Sequence, residues 1–174
     1  MTVGIAIRVA RPADIARLSS TLGTPHGDFF AGRLPLQEAG LGEVLVAWRG
    51  GAPVGAVFVS WDVADEPEVR KHLADVPMIS HLQVADAHRH RGVGRTLLRH
   101  AEQRLRWRGH TRVLLGVDKS NEVARRLYEW LGYVQPDEPE LCDLGAEPGR
   151  TADPAAETYD ILVADLYRGG PGWP

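Results

Sequence analysis

The chain has 174 residues, 44% of them hydrophobic and 25% charged, with a net charge of −3. That is an ordinary globular composition, long enough for one domain with a sizeable core. It disfavours nucleic acid or an anionic membrane as partner, and no apolar run is long enough to cross a bilayer. The lone Cys142 excludes an internal disulfide, and the N-terminal residues from Met1 to Ala6 show no basic region followed by an apolar core. Both point to a reducing cytoplasm. Abundant Arg, Ala and Gly beside only two lysines, Lys71 and Lys119, match the usage of a GC-rich bacterial genome.

In chain order, Ile5 to Val9 alternates as a strand does. Pro12 suits the first turn of a helix that runs through Ile15 and Leu18 toward Gly23. Residues Thr24 to Gly42 mix Gly27, Gly32 and Pro35 with Phe29-Phe30 and Leu34, which predicts a short helix with mobile flanks forming part of a substrate wall. Two strands follow, Val44 to Trp48 and Val54 to Trp61, joined by a tight hairpin through Gly50-Gly51. The acidic stretch Asp62 to Pro77 reads as an insertion with a helix over Pro67 to Leu73. Met78 to Val84 is the next strand. Val93, Leu97, Leu98, Ala101 and Leu105 then place one apolar stripe on a helix ended by Gly109. Val113 to Val117 is a buried strand. Ala124, Leu127, Tyr128 and Leu131 share one face of a helix stopped by Gly132. Pro136 to Ala156 is loop-rich, Thr158 to Leu166 is a last strand, and the tail from Gly169 to Pro174 reads as disordered. One domain is expected over 1–168.

The chemistry concentrates between Leu82 and Tyr133. Arg89-His90-Arg91-Gly92-Val93-Gly94 is a glycine-rich turn opening a helix, where unpaired backbone N–H groups and the helix dipole suit a phosphate or pyrophosphate. The spacing is neither the dinucleotide fingerprint, since position 97 is Leu, nor the phosphate loop ending in Gly-Lys-Ser/Thr. Eight arginines lie between Arg89 and Arg112. Most read as the solvated face of a helix, with Arg89, Arg91 and Arg95 set apart because they flank the turn. His88 and His90 have no Cys or carboxylate at ligand spacing, so no metal is expected. Trp61, Trp107 and Trp130 read as packing residues.

Taken in order, Leu82-x-Val84, Arg89-x-x-Gly92-x-Gly94, a helix, a strand and Asn121-x-x-Ala124-x-x-Leu127-Tyr128-Glu129-x-Leu131-Gly132-Tyr133 resemble the GNAT superfamily of N-acetyltransferases. The resemblance implies an α/β (α+β) fold: a mixed, strongly twisted central sheet of about six or seven strands, flanked by helices on both faces. It implies acetyl-CoA as co-substrate. Leu82, Gln83 and Val84 match the strand that pairs with pantetheine. Arg89, Arg91, Gly92, Val93, Gly94, Arg95 and Thr96 match the pyrophosphate loop. Asn121 and Ala124 match cofactor contacts at the start of the next helix. Tyr128 matches the tyrosine beside the coenzyme sulfur.

Tyr128 lies two helical turns from Asn121, on the same face, and a phenol there can act as general acid to the leaving thiolate. The general base is less defined. His81 is the leading candidate, although alternation turns it away from the Ser80 side of its strand unless a β-bulge re-aims it. Asp118 and a water held by Ser80 are the alternatives. The expected reaction is direct acetyl transfer to a primary amine of a small molecule or peptide, with no covalent intermediate and a homodimer left open. A rival reading is a catalytically inactive acetyl-CoA sensor. The acidic segments Asp62 to Glu68 and Asp137 to Glu147 favour a cationic acceptor.

Overall fold

A computed structural model describes residues 4–61, 73, 75–137 and 159–168. Six strands form one sheet in the order β1 (Ala6–Val9), β2 (Gly42–Arg49), β3 (Ala52–Ser60), β4 (Met78–Val84), β5 (Arg112–Asp118) and β6 (Tyr159–Asp165). Every neighbouring pair is antiparallel except β4 and β5, so the sheet is mixed. Gly50 and Gly51, at φ 57° and 79°, make the β2–β3 turn, since two successive positive φ values give the tight hairpin whose twist matches the strands.

Among the described residues four helices cover both faces: α1 (Ile15–Leu22), α2 (Thr24–Glu38), α3 (Val93–Trp107) and α4 (Glu122–Trp130). Alternation along β2 sorts the two cores. Leu45 and Ala47 join Leu97, Leu98, Ala101, Leu105 and Tyr128 of α3 and α4, whereas Val44, Val46 and Trp48 join Leu18 and Phe30 of α1 and α2. Each fully buried leucine contributes about 2 kcal/mol, which sets the helices against the sheet more firmly than propensity does. Gly55 permits the close approach of α3: a Cβ there would lie 2.9 Å from the Gln83 carbonyl oxygen and 3.2 Å from Val93.

One segment departs from the sequence expectation. Residues 24–38 are a continuous 15-residue helix rather than a short one with mobile flanks. Local signals argued against it, but packing overrides them. Gly27 lies so close to Ser19 of α1 that an added Cβ would sit 2.9 Å from the Ser19 Cα. Phe30 is fully buried. Near the C-terminus the Gln37 carboxamide donates to the Ala10 carbonyl at 2.9 Å and accepts from the Val44 N–H at 3.0 Å, which holds the last turn despite Pro35. The tryptophans also divide: Trp61 is buried, but Trp107 is 70% and Trp130 49% exposed, so packing describes only the first. The helix expected over 67–73, most of the loop over 136–156 and the tail lie outside the described residues.

Candidate active site

β4 and β5 pair only at their starts, Met78 with Leu114 and Ile79 with Leu115. Beyond that the strands part. The edge of β4 from Ser80 to Val84 therefore faces β5 without pairing to it, as a peptide-like arm needs in order to add itself to a strand. Against β3, the register slips: Ser80 opposes Phe58 and Gln83 opposes Ala56, so two residues of β4 stand where β3 has only Val57. This bulge contains His81 at φ 54°, a left-handed conformation that a histidine rarely adopts. Strict alternation would have turned His81 toward α3. The bulge instead turns it to the α2 face, the face of Phe58.

The turn after β4 ends in Gly92, at φ 79°, which precedes α3 without any side-chain cap. The first intrahelical bond is Thr96 N–H to the Gly92 carbonyl at 3.0 Å, so the N–H groups of Val93, Gly94 and Arg95 are left for a ligand. A Cβ on Gly92 would meet nothing within 4 Å, so this end of the helix opens to solvent. The Val93 side chain is buried and anchors the turn. The flanking arginines are arranged unequally. Arg89 is tied back, donating to the Val84 carbonyl at 3.3 Å and pairing with Asp86 at 2.9 Å. Arg95 lies over the Trp130 ring at 5.8 Å, and Arg91 is exposed. The Thr96 hydroxyl donates to the Gly92 carbonyl at 2.9 Å, bracing the turn rather than pointing outward.

The other predicted residues converge from three elements. A Cβ on Gly94 would stand 3.6 Å from Leu82, 3.7 Å from Val84 and 3.8 Å from Leu127, so the helix start, the parted strand and α4 meet at one half-buried apolar wall that Ala124 extends. The Asn121 carboxamide oxygen caps α4 by accepting from the Ala124 N–H at 3.1 Å, leaving its NH2 as the free donor. α4 ends in a Schellman motif, with Tyr133 N–H to the Tyr128 carbonyl at 3.0 Å, Gly132 N–H to the Glu129 carbonyl at 2.9 Å and Gly132 at φ 91°. Tyr128 is buried beside Tyr133, ring centroids 6.1 Å apart, and its hydroxyl has no partner among the described residues. Burial pushes its pKa up to about 12, so it is a donor at neutral pH.

Sequence reasoning did not find the surroundings of His81. His26 and Phe29 of α2 enclose it: His26 Nδ1 lies 3.0 Å from His81 Nε2, and the Phe29 ring stacks on the imidazole at 3.8 Å and 15°. Arg33 lies over Phe29 at 4.6 Å. Burial, then the charges of His26 and Arg33, lower the His81 pKa to about 4. Fifty-five residues separate His26 from His81, and no spacing rule links them. The one available signal was the mixed segment after Gly23. Asp118 is taken up elsewhere: its carboxylate accepts from the Ser120 hydroxyl and, at 2.7 Å, from the Ser120 N–H, which holds its pKa below the usual carboxylate value and leaves it a poor base. Among the described residues no group of His, Cys, Asp and Glu could hold a metal, and no helix is long and apolar enough to cross a membrane.

A strand that leaves its neighbour beside an open helix start and a buried tyrosine belongs to the architecture of acyl-CoA-dependent transferases. Residues 15–133 match the model of the Acetyltransferase (GNAT) family, and the chain belongs to that family of N-acetyltransferases. No curated protein matches it in sequence. Among solved structures it is similar in fold to the PaiA N-acetyltransferase of Thermoplasma acidophilum in complex with coenzyme A, with 14% identity, a TM-score of 0.66 and coverage of 93% of this chain and 99% of that one. It is similar to YncA of Salmonella typhimurium with its cofactor acetyl-CoA, with 20% identity, a TM-score of 0.65 and coverage of 95% of each chain. A third is the ribosomal-protein-alanine N-acetyltransferase of Brucella melitensis, with 20% identity, a TM-score of 0.67 and coverage of 92% of this chain and 99% of that one.

Proposed function

We propose that this acetyltransferase binds acetyl-CoA along the freed edge of β4 and moves the acetyl group to a primary amine of a small molecule or peptide. The observation that carries this reading is the parting of β4 from β5 after Ile79 and Leu115, directly beside the uncapped start of α3. The residues fit the group. The N–H groups of Val93, Gly94 and Arg95 face the open end of the helix and suit a pyrophosphate. Leu82, Val84, Leu127 and Ala124 offer an apolar wall to the pantetheine arm, and the Asn121 NH2 can donate to it. Acetyl-CoA supplies a thioester whose acyl carbon the amine attacks directly. Backbone N–H groups on the unpaired β4 edge stabilise the charge that develops on the carbonyl oxygen. Tyr128 donates its hydroxyl proton or a hydrogen bond to the sulfur as it leaves. His81, neutral at pH 7, accepts the proton of the incoming ammonium.

The test is a thermal melt with acetyl-CoA, followed by release of free coenzyme A across a panel of polyamines, amino sugars and peptide N-termini. Stabilisation together with turnover on one class of amine is expected. Stabilisation without turnover on any amine would instead describe an acetyl-CoA sensor. A melt unmoved by millimolar acetyl-CoA would remove the reading altogether.

A further inference from the structure

The His26–His81 contact spans two elements and involves the residue read above as the base. Two imidazoles joined nitrogen to nitrogen at 3.0 Å share one proton: one ring donates, the other accepts. The His81 ring is also clamped. It stacks on Phe29 and meets Phe30 edge-on at 5.4 Å and 78°, while its backbone is fixed in the bulge. With Nε2 taken by His26, Nδ1 is the nitrogen left to meet an amine. No carboxylate pairs with either imidazole among the described residues. The charged neighbour is Arg33, also of α2, whose guanidinium lies over the Phe58 ring of β3 at 5.5 Å.

We propose that His26 is the positioning and relay residue for His81, fixing its tautomer and carrying the acceptor's proton from the buried ring to solvent. This rests on the reading of His81 as base. The ammonium N–H bond breaks and its proton bonds to His81 Nδ1. The proton on His81 Nε2 passes to His26 Nδ1, and the proton on His26 Nε2 goes to water. The amine keeps its lone pair for the acyl carbon. After product leaves, the same path run in reverse, from water to His26 Nε2 and from His81 Nδ1 to water, restores both tautomers. A ring with a pKa of about 4 does not keep a proton at pH 7, and the hydrogen bond to His26 gives that proton a way out while the acceptor still covers Nδ1. His26 is one hydrogen bond away and only partly buried.

Imidazole ¹⁵N NMR on the full chain with bound coenzyme A reads the tautomers directly. His81 is expected as the Nε2–H form with bare Nδ1, coupled across the hydrogen bond to His26 Nδ1. The opposite form, with the proton on His81 Nδ1, leaves no lone pair for the amine and overturns the proposal. Kinetics with the fastest amine of the panel give an independent readout. His26→Ala should lower kcat about tenfold or more, leave the acceptor KM in place, and recover with added imidazole in proportion to its concentration. His26→Gln should stay slow, because an amide can bond to His81 but cannot relay a proton. A His26→Ala enzyme that is slow and gains nothing from imidazole, or one that is fast while His81→Gln is slow, refutes the relay alone. A His81→Gln enzyme as fast as wild type removes the base reading and the relay with it. If no amine turns over, the NMR tautomer decides.

Discussion

Tyr128 and Gly92 differ in what holds them, and so in what their replacement does. Tyr128 is fixed by packing, and with a pKa of about 12 its phenol stays protonated throughout the working range. Tyr128→Phe keeps the ring and removes the donor. It should lower kcat and kcat/KM together, by about 10²–10⁴-fold, with little change in acetyl-CoA affinity measured by calorimetry. The basic limb of the rate profile below pH 10 should be the same in both proteins, because Tyr128 does not titrate there. An unaltered kcat would reduce the residue to packing. Gly92 is held by its backbone, at φ 79°, with open space around it. Gly92→Ala should cost about 1–2 kcal/mol, from left-handed strain alone. Gly94→Asp acts differently: its carboxylate would enter the wall of Leu82, Val84 and Leu127 and repel the pyrophosphate. Loss of coenzyme A binding with a native circular dichroism spectrum is expected, and wild-type affinity in the folded variant would refute the assignment.

At the scale of elements, the last strand is locked to both helices of one face by a buried ionic cluster. Arg168, just beyond β6, donates to Glu102 of α3 at 3.0 Å and to the Leu131 carbonyl at the end of α4 at 2.8 Å. Tyr133 donates to the same Glu102 oxygen at 2.7 Å. The side chains of Glu102 and Arg168 are 3% and 13% exposed, so removing one charge strands the other. Arg168→Met should destabilise by about 3 kcal/mol. At this chain length that is a fall of roughly 6–12 °C in Tm. Adding Glu102→Gln to Arg168→Met should recover part of the loss, since the buried charge is then gone. A double variant no more stable than the single would attribute the loss to packing of the guanidinium stem.

For the whole molecule, His81 couples acid sensitivity to folding. Its imidazole titrates near 6.5 in the unfolded chain and about 4 in the folded one. Between those values the unfolded chain binds the extra proton, so this contribution to stability is complete above pH 6.5 and is lost as pH falls toward 4. His81→Gln should flatten the fall of Tm between pH 6.5 and 4 relative to wild type, while parallel curves would contradict the buried setting of the ring. Acetyl-CoA at a hundredfold over its Kd should add about 2.7 kcal/mol to the folded state.

The sequence by itself determined the family, the course of the sheet and the glycine turn, because these are written locally. Apolar runs on either side of Gly50-Gly51 mark β2 and β3, the stripe from Val93 to Leu105 marks α3, and Gly92, Asn121, Gly132 and their spacing mark the helix ends. Only the tertiary structure decided the surroundings of His81. α2 is a full helix because Gly27 and Phe30 find partners in α1 and the sheet, which no window of residues records. His81 faces α2 because β4 gains a residue against β3, and a bulge belongs to a pair of strands rather than to either sequence. His26 joins it across 55 positions, a contact created by folding α2 over the sheet.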